Sequence, residues 1–233
     1  KKQVDEIKPC QVHLEFDVSG SFDYEHRDGH TQKLLNRFVP FAMLFDKDKT
    51  LDGYVFASKA EKLEDINEQN YSNYVRDSIM KSSIYNGGTQ YCPIFKLMID
   101  ESGLQGVETE TKVVAKSGFF SKLLNLKTKV ECIVKKEKKE KHLHFFITDG
   151  EAFDQGESRR LLENTIKDNV FIVFISIYDE KIGFLESSFG DKEYSSYLNF
   201  THSELHNLEN MSDEAMYDML LNKNLVSWMN KTC

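Results

Sequence analysis

Apolar residues recur along this chain with two distinct periods, and the switches between them mark out the elements. Residues 12–18 alternate and then run apolar, as a strand entering a core does. Residues 19–29 are polar and predict a loop. His30 to Phe45 carries Leu34, Leu35, Phe38, Phe41, Ala42 and Phe45, spaced by threes and fours along one helix face. Pro40 predicts a kink or an early end to that helix. Residues 51–57 read as a strand with a turn at Asp52-Gly53. Residues 65–80 are polar, with Ile66, Tyr71, Tyr74, Val75, Ile79 and Met80 set apart, and predict a surface helix or two short ones. Asn86-Gly87-Gly88 breaks the chain, and residues 91–99 give an amphipathic helix with Pro93 in its first turn. Residues 142–148 form a strand bounded by Asp149-Gly150, and 157–167 a helix. Residues 170–177 are almost continuously β-branched or aromatic, the pattern of a strand buried on both faces. Residues 194–200 predict one more strand, and Ser212 caps a final helix running to about Met229.

Strands alternate with helices along most of the chain. That order predicts an α/β domain of Rossmann-like, three-layer form: a mostly parallel central sheet with helices on both faces. Residues 1–10 read as a lead-in and 11–233 as a single domain. One segment departs from the rhythm. Residues 102–141 hold ten Lys and five Glu, a basic insertion in an acidic protein, with Phe119, Phe120, Leu123, Leu124 and Leu126 inside it. It reads as an insertion with a solvated Lys/Glu run. Membrane contact through it is the less favoured reading, because the rest of the chain opposes approach to an anionic surface.

Composition narrows the function classes. The 233 residues are 40% hydrophobic and 12% aromatic, enough for one full core. A net charge of -8 argues against nucleic acid as a partner, since phosphate contacts need cationic surface. No apolar run approaches the ~20 residues that span a bilayer. The first residues lack both a signal-peptide pattern and an initiating Met, so a longer parent protein is expected. Cys10, Cys92, Cys132 and Cys233 are scattered and form no Cys-x-x-Cys pair, which predicts reduced thiols and a cytoplasmic setting.

Three separated stretches carry the candidate chemistry. Asp17, Ser19 and Ser21 form an Asp-Val-Ser-Gly-Ser run directly after the first strand. Thr89 follows a Gly-Gly break, and Asp149 sits in Phe146-Ile-Thr-Asp-Gly-Glu151 at the end of another strand. In an open α/β sheet ligands bind beyond the carboxyl ends of the strands, where all three stretches should lie. Two carboxylates and three hydroxyls are hard oxygen donors, suited to Mg²⁺ or Mn²⁺ rather than to zinc or copper. Mg²⁺ takes about six oxygens at roughly 2.0–2.1 Å and often keeps waters. Neutral hydroxyls with only two carboxylates leave the ion seeking one more anionic ligand, which an Asp or Glu of a protein partner would supply. Each piece alone has a plain reading as a turn or cap.

Taken together, these residues resemble the metal-ion-dependent adhesion site of von Willebrand factor A-like (vWA) domains: Asp-x-Ser-x-Ser, then a separated Thr, then a separated Asp. The match takes in Asp17, Ser19, Ser21, Thr89 and Asp149 and extends over about residues 12–228. The resemblance implies a six-stranded, mainly parallel sheet with one antiparallel edge strand. It also implies that the two serines bind the ion directly, while the threonine and aspartates bind it directly or through water. Mg²⁺ is the expected occupant, with Mn²⁺ or Ca²⁺ as alternatives. Gly87-Gly-Thr-Gln-Tyr-Cys-Pro93 and Lys116-Ser-Gly-Phe-Phe-Ser-Lys122 look like the intracellular tellurium-resistance and stress-response branch, which also resembles the copine A-domain. Phe22 stands where many relatives have Met, at a packing position. The implied function is capture of an acidic protein partner, without catalysis.

The rival reading is a Mg²⁺-dependent phosphohydrolase with Asp17 as nucleophile. Such an enzyme needs a general acid two residues on, and Ser19 stands there. A third reading is a structural subunit whose cation site stays unfilled. His142 with His144, and His202 with His206, are spaced like zinc pairs, but neither has an evident third and fourth ligand. Asp23, Glu25, Asp28, Glu151 and Asp154 are candidates for an acidic rim around the cation.

Overall fold

A computed structural model describes residues 9–102, 140–166, 168–208 and 210–231. The lead-in before residue 9 and most of the basic insertion, 103–139, lie outside the described residues. Among the described residues seven strands form one sheet: β1 (Gln11–Asp17), β2 (Asp52–Phe56), β3 (Ala60–Lys62), β4 (His142–Thr148), β5 (Val170–Ile177), β6 (Asp191–Lys192) and β7 (Ser195–Phe200). Their order is β3-β2-β1-β4-β5-β7-β6. The five inner strands are parallel, and β3 and β6 run antiparallel at the two edges. The expected fold class is present. The strand count differs from the six with one antiparallel edge that the resemblance implies, because β6 adds a second, two-residue antiparallel edge.

Helices cover both faces. They are α1 (Asp23–Arg27), α2 (His30–Ala42), α3 (Tyr74–Asp77), α4 (Cys92–Glu101), α5 (Gln155–Thr165), α6 (Gly183–Phe189), α7 (His202–Leu208), α8 (Asp213–Leu220) and α9 (Lys223–Asn230). On one face Val12, Leu14 and Phe16 of β1 pack with Leu143, Phe145 and Ile147 of β4 beneath α2 and α7–α9. On the other, Phe146, Ile172 and Phe174 meet Ile94, Phe95, Leu162 and Phe189 of α4–α6. All eight residues of β5 are buried, as its unbroken apolar run predicts. In β1 the second face is polar and equally buried: His13 is 2% exposed and Glu15 and Asp17 are fully covered.

Four expectations need correction. The predicted loop 19–29 contains the helix α1, whose Glu25 and His26 are buried by tertiary contacts that a polar sequence does not announce. The single final helix is two. Ser212 caps α8 as expected, its hydroxyl accepting from Ala215 N, but Asn222 starts α9 anew by accepting from the amides of Asn224 and Leu225. The long helix expected over His30 to Phe45 stops at Ala42, two residues past Pro40. Residues 65–80 hold two 3₁₀ turns, Tyr71–Asn73 and Ile79–Lys81, around the four-residue α3.

Lys141, just before β4, is buried and aims its ammonium at the end of α9. It donates to the carbonyls of Trp228 (2.6 Å), Met229 (3.1 Å) and Lys231 (2.7 Å), and stands 4.8 Å over the Trp228 ring. A cation at a helix C-terminus satisfies the last carbonyls and complements the helix dipole. Among the described residues no helix is long and apolar enough to cross a membrane. Cys10 and Cys92 are buried free thiols, pushed up by burial to about 12 and about 11.

Candidate metal centre

Parallel pairing of β1 with β4 aligns Phe16 with Ile147, which brings the next residues, Asp17 and Thr148, side by side where both strands end. The Thr148 hydroxyl donates to Asp17 Oδ2 at 2.6 Å. Asp17 Oδ1 accepts from the Ser19 amide at 2.7 Å, curling the chain back over the strand end. His26 of α1 reaches the Asp17 carbonyl through Nε2 at 2.8 Å. A carbonyl only accepts, so Nε2 carries the proton. Burial holds the His26 pKa down at about 4, so the ring is neutral there.

The turn after β1 is held by the loop that precedes α4. Asn86 N donates to Val18 O at 2.7 Å, and Gly20 N donates to Gly87 O at 2.9 Å. Asn86 adopts a positive φ of 67°, a turn conformation asparagine tolerates. A Cβ on Gly87 would meet the Ala57 methyl at 2.8 Å, so this close approach requires glycine.

Four of the five expected ligands form one connected chain. Ser19 Oγ lies 3.1 Å from Ser21 Oγ, and Ser21 Oγ donates to Asp149 Oδ1 at 3.1 Å. With the Asp17–Ser19 bond this links Asp17, Ser19, Ser21 and Asp149 at the carboxyl edge of the sheet. Thr89 is 7% exposed and is tied to the same edge through its backbone, its carbonyl accepting from Phe153 N at 3.0 Å. Asp154 accepts from the amides of Tyr91 (2.9 Å) and Cys92 (2.8 Å), clamping the start of α4 to the loop after β4. Tyr91 returns the contact by donating to Gly150 O at 2.5 Å.

Both carboxylates are electrostatically strained. Burial pushes Asp149 up to about 7, and the charge of Asp17 adds to the effect. Burial pushes Asp17 up to about 6 against the hydrogen bonds from Ser19 and Thr148. Among the described residues neither carboxylate has a Lys or Arg within salt-bridge distance. The groups that touch them are hydroxyls and backbone amides, which orient a carboxylate without neutralising it. Two under-compensated carboxylates beside the hydroxyls of Ser19, Ser21 and Thr148 suit a hard divalent cation.

The expected acidic rim is otherwise engaged. Asp23 pairs with Arg27 and Tyr85, Glu25 with His30 and His202, and Asp28 with His30. Glu151 accepts from Gln155 at 3.0 Å. These groups lock the surrounding helices rather than surround a cation. His202 is spoken for by Glu25 and Asp179, and the side chain of His206 lies outside the described residues. Phe22 is fully buried against His26, in keeping with a packing role. Sequence reasoning missed Thr148, Tyr91 and His26, which position the donors. Thr148 had a signal, since it stands directly before Asp149 at a strand end.

Comparisons with known proteins bear on the family and the fold. A family model for the vWA domain found in the TerF C terminus matches residues 9–232. The uncharacterized protein YcbR of Bacillus subtilis (strain 168) is 28% identical over 82 residues, 35% of this chain and 33% of YcbR. Proximal thread matrix protein 1 from the mussel byssus has a TM-score of 0.55 at 12% identity, over 95% of this chain and 48% of its own. A form of that mussel protein with a zinc-occupied adhesion-site motif scores 0.50 at 12% identity, covering 90% of this chain and 47% of that one. The manganese-loaded TRAP protein of Plasmodium vivax scores 0.50 at 14% identity, over 89% of this chain and 74% of its own. The chain thus spans about a third of YcbR and about half of the mussel protein. At these identities the solved structures carry the shared fold alone. Because the family model covers almost the entire sequence, the chain belongs to the vWA-TerF-like family.

Proposed function

We propose that this chain is a divalent-cation-dependent protein-binding module. Ser19 and Ser21 hold the cation by their hydroxyls, and Thr89, Asp17 and Asp149 hold it directly or through water. The bound ion supplies an electrophilic position for a carboxylate of the partner. One observation carries the reading: Asp17 and Asp149 converge, both pushed up by burial, with hydroxyls and, among the described residues, no cationic side chain between them. Mg²⁺ is the proposed occupant, on the chemistry of an all-oxygen donor set. The zinc-occupied adhesion-site motif of the mussel protein and the manganese-loaded form of the Plasmodium protein support a divalent ion as the ligand.

Asp17 is fully covered, with one carboxylate oxygen on the Ser19 amide and the other on the Thr148 hydroxyl. A nucleophile in phosphoryl transfer needs a free oxygen in line with its target. This supports binding over hydrolysis. The surface beside the site also suits docking, because Phe153 is 84% exposed and stands 3.7 Å from where a Cβ on Gly88 would lie. An exposed aromatic next to an ion is a ready anchor for a partner side chain. The matched branch favours a cytoplasmic role in chemical-stress or tellurium resistance within a protein assembly. Pull-down from a cell lysate with Mg²⁺, and again with EDTA, tests the reading. A partner retained only with Mg²⁺, and lost from Asp149→Ala, supports it; equal recovery in EDTA refutes it.

A further inference from the structure

The face of β1 that ends in Asp17 carries a second polar cluster closer to the other edge of the sheet. His13 of β1 lies opposite His144 of β4, and His142 precedes it on the same face. The rings of His13 and His144 stack with centroids 4.3 Å apart, and His13 and His142 stack at 5.2 Å. His13 Nε2 and His142 Nδ1 are 3.0 Å apart. One nitrogen from each of the three rings lies within 4.8 Å of the other two. The rings are 2%, 7% and 1% exposed for His13, His142 and His144. The sequence pattern exposes only the His142–His144 pair; the third imidazole comes from a strand 129 residues away in the chain.

The opposite nitrogens of two rings face carboxylates. His144 Nδ1 meets Glu15 Oε1 at 2.6 Å, and His13 Nδ1 lies 3.2 Å from Asp52 Oδ2. Asp52 is itself fixed by Lys62 at 2.8 Å and Gln11 at 3.1 Å. His144, with one nitrogen on a carboxyl group, has the second partner typical of metal-bound histidines. Because an imidazole lone pair lies in the ring plane, the stacked rings must rotate to aim their other nitrogens at one ion. With Glu15 on Nδ1, His144 offers Nε2, which now sits 3.2 Å from the Ser102 hydroxyl. Burial, with the neighbouring imidazoles, pushes His13 and His144 well below the ordinary range, so they are neutral, the form that ligates. The second oxygen of Glu15 is fully buried and has no hydrogen-bond partner among the described residues. An orphaned buried carboxyl oxygen is costly in either protonation form, and a nearby cation would relieve the ionised one.

We propose that His13 Nε2, His142 Nδ1 and His144 Nε2 bind a borderline transition-metal ion of the Zn²⁺ class, with water or the Ser102 hydroxyl completing a tetrahedron. Two nitrogens 3.0 Å apart are close to the roughly 3.3 Å edge of a tetrahedron with Zn–N distances of about 2.0–2.1 Å. His13 stands four strand residues from Asp17, about 13 Å along β1, so this centre is separate from the oxygen site. The donor sets also differ in kind: three nitrogens here, five oxygens there.

Co²⁺ added to the full chain in Mg²⁺ buffer reads the site directly. Wild type should develop the strong visible absorption of tetrahedral, nitrogen-ligated cobalt, bleached by one equivalent of Zn²⁺. Asp149→Ala should retain that spectrum, and His142→Gln should lose it with circular dichroism unchanged. Because His142→Gln removes a packed ring, nitrogen NMR of the wild-type imidazoles gives a second readout. Saturating Zn²⁺ should shift the ligating nitrogens of all three rings. Absence of the tetrahedral band in wild type, its loss in Asp149→Ala, or imidazole nitrogens unmoved by Zn²⁺ would overturn the proposal and leave a buried hydrogen-bond network in its place.

Discussion

Thr148 and Asp17 end adjacent parallel strands, and the Thr148 hydroxyl donates to Asp17 Oδ2 at 2.6 Å. That bond fixes one carboxylate oxygen while the Ser19 amide fixes the other. Asp17 therefore has a set orientation before any ion arrives, and Thr148 is a positioning residue. Thr148→Val should keep the fold and lower Mg²⁺ affinity by about tenfold, the smaller end of the range for outer-shell partners of metal ligands. Calorimetric titration of Mg²⁺ into the variant checks this. A wild-type affinity would show that the hydroxyl does not orient Asp17.

Asp149 should trade stability against metal binding. Its carboxylate is disfavoured by burial and by the charge of Asp17. Asp149→Asn removes that repulsion, so the metal-free variant should melt at or above the wild-type temperature at pH 8. Addition of Mg²⁺ should raise the wild-type melting temperature and leave the variant's unchanged.

The pH dependence follows from the same pair. Asp149 is raised from 3.8 to about 7 and Asp17 from 3.8 to about 6. A raised carboxylate stabilises the fold fully below its unfolded pKa, and that contribution is lost as pH rises through the folded pKa. Metal-free protein should therefore lose this contribution between about pH 4 and 7. His26, lowered from 6.5 to about 4, has the opposite sign, its contribution present above 6.5 and lost as pH falls through 4. Mg²⁺ acts on the carboxylates, so the difference between melting curves with and without Mg²⁺ isolates them. That difference should grow as pH rises from 5 to 8.

Lys141 should matter to stability and not to the ion. Its ammonium satisfies three carbonyls at the end of α9 from a buried position. Lys141→Met should cost about 2 kcal/mol, the scale of a charge-assisted hydrogen bond lost in a buried setting. Urea unfolding measures this, and Mg²⁺ titration of the same variant should be unchanged.

Phe153 separates partner binding from metal binding. The side chain is 84% exposed, so Phe153→Ala should leave Mg²⁺ affinity and melting temperature within error. Capture of the partner in the Mg²⁺-dependent pull-down should fall. Undiminished capture would show that the partner docks on another side of the ion.

Much of this architecture was legible in the sequence, and the reasons are local. β4 and β5 carry runs whose burial the residues announce, and Asp17, Ser19, Ser21 and Asp149 meet at the carboxyl ends of the strands, where sequence order placed them. What stayed hidden depends on partners far away in the chain. The helix α1 reads as loop because its Glu25 and His26 are polar, and only His30, His202 and the Asp17 carbonyl explain their burial. The break between α8 and α9 hides in an apolar rhythm that continues across Asn222. His13 sits in the alternating part of β1 and looks like a solvent-facing residue until His142 and His144 of β4 and Tyr54 of β2 pack against it. The strands β3 and β6 are three and two residues long, too short for a period to register.

The central claim is that oxygens from three distant stretches of chain surround one divalent ion. Calorimetric titration of Mg²⁺ into wild type, Asp17→Ala and Asp149→Ala, each checked by circular dichroism, tests it most directly. One ion should bind per wild-type chain, and both folded variants should bind at least about tenfold more weakly. Binding of equal affinity in all three proteins would contradict the assignment.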